Sequence, residues 1–244
     1  MTYSITAAKR RLKYELGLLV LLLAGLGGVM LWRARSVPVP APPSVPWGTQ
    51  FEYAPGKFAE VRCGTGTSTT IDATRFADPD KKTSEDLVQF ALQAWENQWG
   101  YVWGTYGTVL TEELLAYKSE QYPTDVGGQE SFIREAWLGR RTVDCMGLIK
   151  GYGWYQPDTG TIDYGSGAMP DVGTEGLFEA AAVKGAIDTI PETPGLIVYA
   201  SGHVGVYIGS GEVIEAISTE GGVVKTQLSN RHFTHWLECP YIEY

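Results

Sequence analysis

From Pro194 onward the sequence changes from helical to β periodicity, and this change limits the fold more than any other feature. Four short runs rich in β-branched residues follow one another: GLIVYA, HVGVYIG, EVIEAI and VVKTQL. Turn sequences of the types SG, GSG and TEGG separate them. Short strands joined by short turns are typical of hairpins. The sequence therefore predicts an antiparallel sheet at this end of the chain.

The segment before this sheet has helical periodicity. From Thr83 to Gly100, apolar residues recur at helical spacing, Thr83 and Asp86 form a capping-box start, and Gly100 suits the helix end. Further helices are predicted in TEELLAYKSEQY, in ESFIREAWLG, and in TEGLFEAAAVKGAIDTI as far as about Lys184. Helices followed by an antiparallel sheet make an α+β fold.

An uncharged apolar run over residues 16 to 32, LGLLVLLLAGLGGVMLW, is bracketed by basic residues. Its length is near the lower limit of about 17 residues for a membrane-spanning helix. It is longer than most signal-peptide cores, and no Ala-x-Ala cleavage site follows. We therefore expect an uncleaved transmembrane anchor over 16–33, with a cleaved signal and a secreted protein as the alternative.

The basic residues predict which side of the membrane each part of the chain occupies. Four of them precede the span and two follow it, which favours a cytoplasmic tail over 1–15. Five prolines between Pro38 and Pro46 then indicate a semi-extended stalk, assigned with an extension to 34–83. The remaining domain, 84–244, would lie outside the cytoplasm. Within residues 47–82, the stretch RCGTGTSTTIDATRF at 62–76 could be a short strand pair or an ordered extension.

Charge is distributed unevenly along the chain. Residues 1–35 hold six basic residues and one acid, a net +5, which leaves −14 for the rest of a chain whose net charge is −9. Nucleic-acid phosphates would repel such an acidic body, so no nucleic-acid partner is expected.

Cys145, in the stretch RRTVDCMGLIKGYGW, is a candidate nucleophile. Asp144 is a good N-cap, and CMGLIKGY continues at helical spacing, which would place the sulfur at a helix N-terminus. The backbone N–H groups and the dipole there favour a thiolate and could stabilise an oxyanion. A buried structural cysteine is the alternative reading.

His203 is the candidate base because it begins the run HVGVYIG beside a turn, at the edge of the predicted sheet. If Gly209, Ser210 and Gly211 form a three-residue loop, Gly205 faces Glu215 across the hairpin. His203 and Glu215 would then share one face as diagonal neighbours, and Glu215 could orient the imidazole. A two-residue loop would place Glu215 on the opposite face.

The remaining cysteines and histidines give no second site. Cys63 and Cys239 could form a disulfide, although spacing gives no geometry for it. His232 and His235 fit a zinc site poorly without further ligands, and we expect them to pack against Phe233 and Trp236. No metal and no cofactor is predicted.

Four stretches occur in the order found in one known family: YVWG at 101–104, DCMGL at 144–148, TPGLIVY at 193–199 and HVGVYIGSGEVIEA at 203–216. Over about residues 84–244 the chain resembles the NlpC/P60 cysteine peptidases of the papain-like superfamily, which cut bacterial cell-wall peptides. The resemblance implies a papain-like domain with N-terminal helices packed on an antiparallel sheet.

The resemblance also implies roles for four residues. Cys145 corresponds to the nucleophile and His203 to the base, while Glu215 occupies the place of the third polar residue, where many members have His, Asn or Gln. Tyr101 matches a tyrosine that helps to stabilise the reacting carbonyl. Met146 replaces a commoner serine, and the long segment from Thr105 to Arg140 could be a lid or a substrate-selecting wall.

The implied activity is a peptidoglycan endopeptidase that cleaves an amide bond in stem peptides, typically between D-γ-glutamate and a diamino acid. The expected partners are this peptide and the membrane. Two alternatives stay open: an acyltransferase or amidase that uses the same Cys–His pair on another substrate, and a catalytically silent wall-binding module. A cellular, phage or conjugative context is not distinguished.

Overall fold

The computed structural model describes residues 50–61, 68–78 and 81–244. Within these ranges, no helix combines the length and apolarity that a membrane crossing requires. The anchor predicted over 16–33, most of the stalk, and Cys63 all lie outside them.

Five α-helices are described, and a side-chain cap forms at the start of three of them, two of which, at Thr83 and Asp144, the sequence predicted. Thr83, Thr111 and Asp144 each accept a backbone hydrogen bond at the start of a helix, which satisfies an otherwise unpaired N–H. The helices are α1 Ser84–Glu96, α2 Glu112–Gln121, α3 Glu130–Trp137, α4 Cys145–Gly153 and α5 Thr174–Ala180.

The main sheet has eight strands in the order β1-β2-β12-β11-β10-β9-β13-β8, and every pair in it is antiparallel. Its strands are β1 Gln50–Ala54, β2 Lys57–Glu60, β8 Lys184–Ala186, β9 Ile197–Ala200, β10 His203–Gly209, β11 Glu212–Ser218, β12 Gly222–Gln227 and β13 His235–Leu237.

Two small sheets complete the fold. One has the order β3-β5-β4, with β3 and β5 parallel, and the other is the pair β6-β7. Their strands are β3 Gly100–Tyr101, β4 Tyr106–Val109, β5 Arg141–Val143, β6 Tyr155–Gln156 and β7 Thr161–Ile162. The chain thus has a mixed helix-and-sheet fold, with its central strands β9 to β12 where the sequence predicted them.

Two predicted helix ends are wrong, each for a local reason. Helix α1 ends at Glu96 because Gln98 takes a left-handed conformation with φ of 52°, and Gly100 is instead the first residue of β3. Helix α5 ends at Ala180 rather than near Lys184, because Lys184 pairs with Leu237 as an edge strand of the main sheet.

The segment before α1 contributes to the main sheet. Strands β1 and β2 form a hairpin, and Glu60 of β2 pairs with Lys225 of β12. The extension predicted over 34–83 therefore includes two strands of the domain's own sheet.

Helix α4 lies close against β4 because two glycines leave room for the strand's backbone. A Cβ at Gly147 would overlap the carbonyl oxygen of Thr105, and one at Gly151 would overlap that of Tyr106. On its other side, α4 shares a buried core with α1 and the sheet through Leu148, Ile149 and Val204. This packing fixes the position of Cys145, the first residue of the helix.

Candidate active site

Cys145 begins α4 with its sulfur among backbone donors. The N–H groups of Val204, Met146 and Cys145 itself each act to lower the pKa of the thiol, so the sulfur lies against the strand residue that follows His203. The side chain of Met146 is buried and offers no hydrogen-bond donor. The backbone N–H groups at this helix start can stabilise a negative charge on sulfur or on a neighbouring oxygen.

Asp144 fixes the start of the helix through both carboxylate oxygens. Its Oδ1 accepts from the N–H of Gly147 at 2.5 Å, and its Oδ2 accepts from the N–H of Gly104 at 2.8 Å. Burial raises the pKa of Asp144, against the lowering effect of these two hydrogen bonds. The residue thus links the Cys145 helix to the loop that follows Tyr101.

The pKa of the Cys145 thiol in the substrate-free protein is higher than the sequence predicted. Burial raises the pKa of Cys145 to about 12, the charge of Asp144 adds to this, and the helix N-terminus does not offset them. Among the described residues, no hydrogen bond joins the thiol to the imidazole of His203. The sulfur is therefore an uncharged thiol at neutral pH in this structure.

His203 and Glu215 meet as predicted, although the turn between their strands is shorter than expected. Gly209 pairs with Glu212, so the loop has two residues, but a bulge between Tyr207 and Gly209 restores the register. Nε2 of His203 lies 2.6 Å from Oε2 of Glu215. Since Nε2 is engaged, Nδ1 is the ring nitrogen left for the thiol.

Gly205 leaves room for the side chains of Val213 and Glu215 on the neighbouring strand. An ideal Cβ at Gly205 would lie 3.3 Å from Cβ of Glu215 and 2.6 Å from Cγ1 of Val213. A larger residue at position 205 would therefore collide with Val213 and crowd the base of the Glu215 side chain.

Two further side chains hold the buried carboxylate, and sequence reasoning missed both. Oε1 of Glu215 accepts from Thr226 at 2.6 Å, and Oε2 also accepts from Nη2 of Arg231 at 2.6 Å. Burial acts to raise the pKa of Glu215, but the hydrogen bond from His203 and the charges of His203 and Arg231 outweigh it, so the pKa is lowered. Glu215 is fully buried and carries its charge at neutral pH.

Aromatic rings enclose this network. Phe233 stacks on the imidazole of His203 at a centroid distance of 5.9 Å and an angle of 14°. The guanidinium of Arg231 lies over the ring of Tyr53 at 4.6 Å. Tyr53 belongs to β1, so the hairpin before α1 contacts the network through Arg231.

The other two histidines have different neighbours from those expected. His235 packs edge-on against Phe178 at 5.0 Å, and His232 lies 3.0 Å from Nζ of Lys57. In the described part of the chain, no group of three His, Cys, Asp or Glu residues is arranged to hold a metal ion. Cys239 is a buried free thiol.

Tyr101 lies beside the start of α4. It pairs with Val143, the residue two positions before Cys145, in the parallel ladder between β3 and β5. Burial raises its pKa well above the usual range, and the negative charge of Asp144 adds to this effect. Its hydroxyl therefore keeps its proton and can donate a hydrogen bond near the sulfur.

A groove of about 600 Å³ opens in front of Cys145. Helix α2 supplies one wall through Tyr117, Lys118 and Gln121, so part of the long segment from Thr105 to Arg140 lines the groove. The start of α5 supplies residues of another wall, including Glu175, whose Oε1 accepts from the N–H of Gly202 at 2.9 Å. The volume is in the range of cavities that take a small ligand or a short peptide.

No family model matches the sequence, and no curated protein matches it significantly. Solved structures to which the chain shows similarity include the P60 domain of an antigen from M. avium subspecies paratuberculosis, with 22% identity over 66% of this chain and 98% of that chain. They also include the peptidoglycan hydrolase RipB from Mycobacterium tuberculosis, with 16% identity over 75% of each chain. The TM-score is 0.37 in both cases, and at this level of likeness neither structure determines what this chain does.

Proposed function

We propose that this protein is a cysteine peptidase that hydrolyses an amide bond in peptidoglycan stem peptides, between D-γ-glutamate and a diamino acid. One relationship carries the proposal: the sulfur of Cys145 lies against the residue after His203, and Glu215 holds Nε2 of that histidine at 2.6 Å. A thiol, an imidazole and an orienting carboxylate in this order are the parts that a cysteine hydrolase needs. The NlpC/P60-like motifs supply the substrate class.

In the proposed reaction, Nδ1 of His203 takes the thiol proton as the sulfur of Cys145 attacks the scissile carbonyl carbon. The oxyanion accepts hydrogen bonds from the backbone N–H of Cys145 and the hydroxyl of Tyr101. When the carbon–nitrogen bond breaks, the amine leaves with the proton from His203. Water then gives a proton to His203 and attacks the thioester, which releases the acid and restores the thiol.

The raised pKa of Cys145 places the proton transfer after substrate binding. The resting sulfur is uncharged, so the reactive thiolate forms only when a carbonyl group is ready to receive its charge. Arg231 already compensates the charge of Glu215 through its 2.6 Å hydrogen bond.

The direct test incubates the full chain with defined stem peptides that contain meso-diaminopimelate or lysine, and identifies the products by mass spectrometry. We expect a new amine end at the γ-glutamyl bond, and we expect Cys145→Ala and His203→Ala to abolish it. Cys239→Ala, which removes the other described free thiol, is the matched control and should leave the product unchanged. Product formation by Cys145→Ala would refute the mechanism.

The same raised pKa also favours a second candidate, a wall-binding module that has lost turnover. A buried neutral thiol is a poor nucleophile unless a base removes its proton. This candidate predicts that the full chain binds peptidoglycan and forms no product from any stem peptide, with Cys145→Ala binding equally well.

We further propose that the span over 16–33 anchors the protein with its domain outside the cytoplasm. The uncharged run of residues 16 to 32 and its flanking basic residues support this topology. Protease added to intact cells should digest the domain if the proposal holds, while a wholly protected domain would contradict it.

A further inference from the structure

Lys118 is a nearly buried cation without an acidic hydrogen-bond partner. The residue is 9% exposed, and its Nζ donates to Oε1 of Gln121 at 2.9 Å. Within the described ranges, no carboxylate lies within salt-bridge distance of this ammonium. An ammonium has three donors, so hydrogen-bonding capacity remains for a ligand.

The surroundings of Lys118 are aromatic rings and more distant acids, and within the described residues no carboxylate pairs with its ammonium. Its Nζ lies 5.3 Å and 5.5 Å from the ring centroids of Tyr117 and Tyr122. Burial lowers the pKa of Lys118, and the charges of Asp144 and Asp171 oppose this effect. The neighbouring Lys150 differs, since it forms a 2.5 Å ion pair with Asp171.

The ammonium is close to the candidate nucleophile. Nζ would lie 3.2 Å from a Cβ placed on Gly104, and the N–H of Gly104 donates to Asp144, the residue before Cys145. Lys118 and Cys145 line the same groove. A group bound at Lys118 would therefore be near an acyl group bound at the sulfur.

We infer that Lys118 binds a free carboxylate on the acyl side of the substrate and so selects stem peptides whose γ-linked glutamate has an unmodified α-carboxylate. This inference rests on the proposed function. A γ-linked glutamyl donor holds its α-carboxylate only a few bonds from the scissile carbonyl carbon, where an α-linked donor with an uncharged side chain has no anion. An ammonium pairs with a carboxylate through a charge-assisted hydrogen bond, which an α-amide cannot match.

The test compares two stem peptides that differ only in having an α-carboxylate or an α-amide on the glutamate. Binding is measured on full-chain Cys145→Ala, and hydrolysis on the otherwise unchanged full chain. We expect the carboxylate peptide to bind at least about tenfold more tightly. Adding Lys118→Met should remove this difference, while Lys118→Arg should retain part of it.

Lys81→Met, which removes a lysine with a 56% exposed side chain, is the matched control and should keep the preference. Circular dichroism of each variant checks that the fold is retained. Equal binding and equal hydrolysis of both peptides would overturn the role of Lys118 and leave the peptidase proposal intact. If neither peptide is bound or hydrolysed, both proposals are wrong.

Discussion

Glu215 holds His203 through a single carboxylate oxygen that also accepts from Arg231. The two contacts on Oε2, from Nε2 of His203 and Nη2 of Arg231, are both 2.6 Å, while Oε1 accepts from Thr226. The candidate base thus belongs to a four-residue network. Its members lie on β10, β11, β12 and the segment that follows Asn230.

Replacing Glu215 by Gln tests the charge of the carboxylate at nearly constant shape. The change leaves Arg231 as a buried cation without an anionic partner, so we expect a loss of about 3 kcal/mol in the free energy of unfolding. We also expect hydrolysis to fall at least about a hundredfold, because the amide no longer fixes the imidazole tautomer. Urea unfolding and product formation measure the two effects. Glu212→Gln, on the same strand but in a surface ion pair with Lys225, is the control. A fully active Glu215→Gln protein would exclude the orienting role.

Replacing Arg231 by Met tests what the charged donor of Arg231 contributes to holding Glu215. Glu215 would keep its contacts with His203 and Thr226 but lose a charged donor, and we expect a stability loss of about 2 kcal/mol. Because the carboxylate can then rotate, we expect kcat to fall about tenfold with little change in KM. Arg134→Met is the control. It removes an exposed arginine of α3 that forms ion pairs with Glu112 and Glu130, and it should change neither the stability nor kcat. A change in KM alone would assign Arg231 to substrate binding instead.

The alkylation rate of Cys145 should depend on pH in a way that reports its raised pKa. Only the thiolate reacts, and with a pKa of about 12 its fraction keeps increasing as the pH rises through 10. We expect slow modification by iodoacetamide at pH 7 and no plateau below pH 10, measured by peptide mass spectrometry on the substrate-free chain. A plateau below pH 8 would show a resting thiolate and contradict the neutral thiol.

Gly147→Ala should disrupt the packing of α4, the helix that begins at Cys145, against the backbone of Thr105. The added Cβ would overlap the backbone oxygen of Thr105. A backbone atom cannot move aside as the end of a flexible side chain can. We expect a loss of about 3 kcal/mol or more in the free energy of unfolding, with reduced hydrolysis. Gly128→Ala is the matched control, since its nearest contact would be 3.9 Å away. Equal stabilities of the two variants would show that α4 is not held in this way.

Local sequence signals predicted the elements that hold the candidate triad. The N-cap at Asp144 and the β-branched runs around His203 and Glu215 depend on neighbours in the chain, and the structure has them where expected. The hairpin shows the limit of such reasoning. Its loop is one residue shorter than predicted, and only the bulge after Tyr207 returned Glu215 to the face of His203.

The parts that sequence reasoning missed depend on distant contacts. Arg231 reaches Glu215 across 16 positions, and only the folded sheet brings the two together. Nothing in the stretch RHFTHW separates this arginine from an ordinary surface residue. The thiol pKa was also mispredicted, because the helix start and Asp144 were visible in the sequence while the burial of Cys145, the larger cause of the raised pKa, was not.

The hairpin of β1 and β2 protects the outer edge of β12, where Lys225 pairs with Glu60. A shortened chain that began at Thr83 would expose the backbone of β12 as an open sheet edge. It would also remove Tyr53, whose ring lies 4.6 Å from the Arg231 guanidinium. Open edges recruit strands from other molecules, so such a fragment would tend to self-associate and to hold its imidazole loosely. Inactivity of that fragment would therefore reflect a lost scaffold and not a lost chemistry.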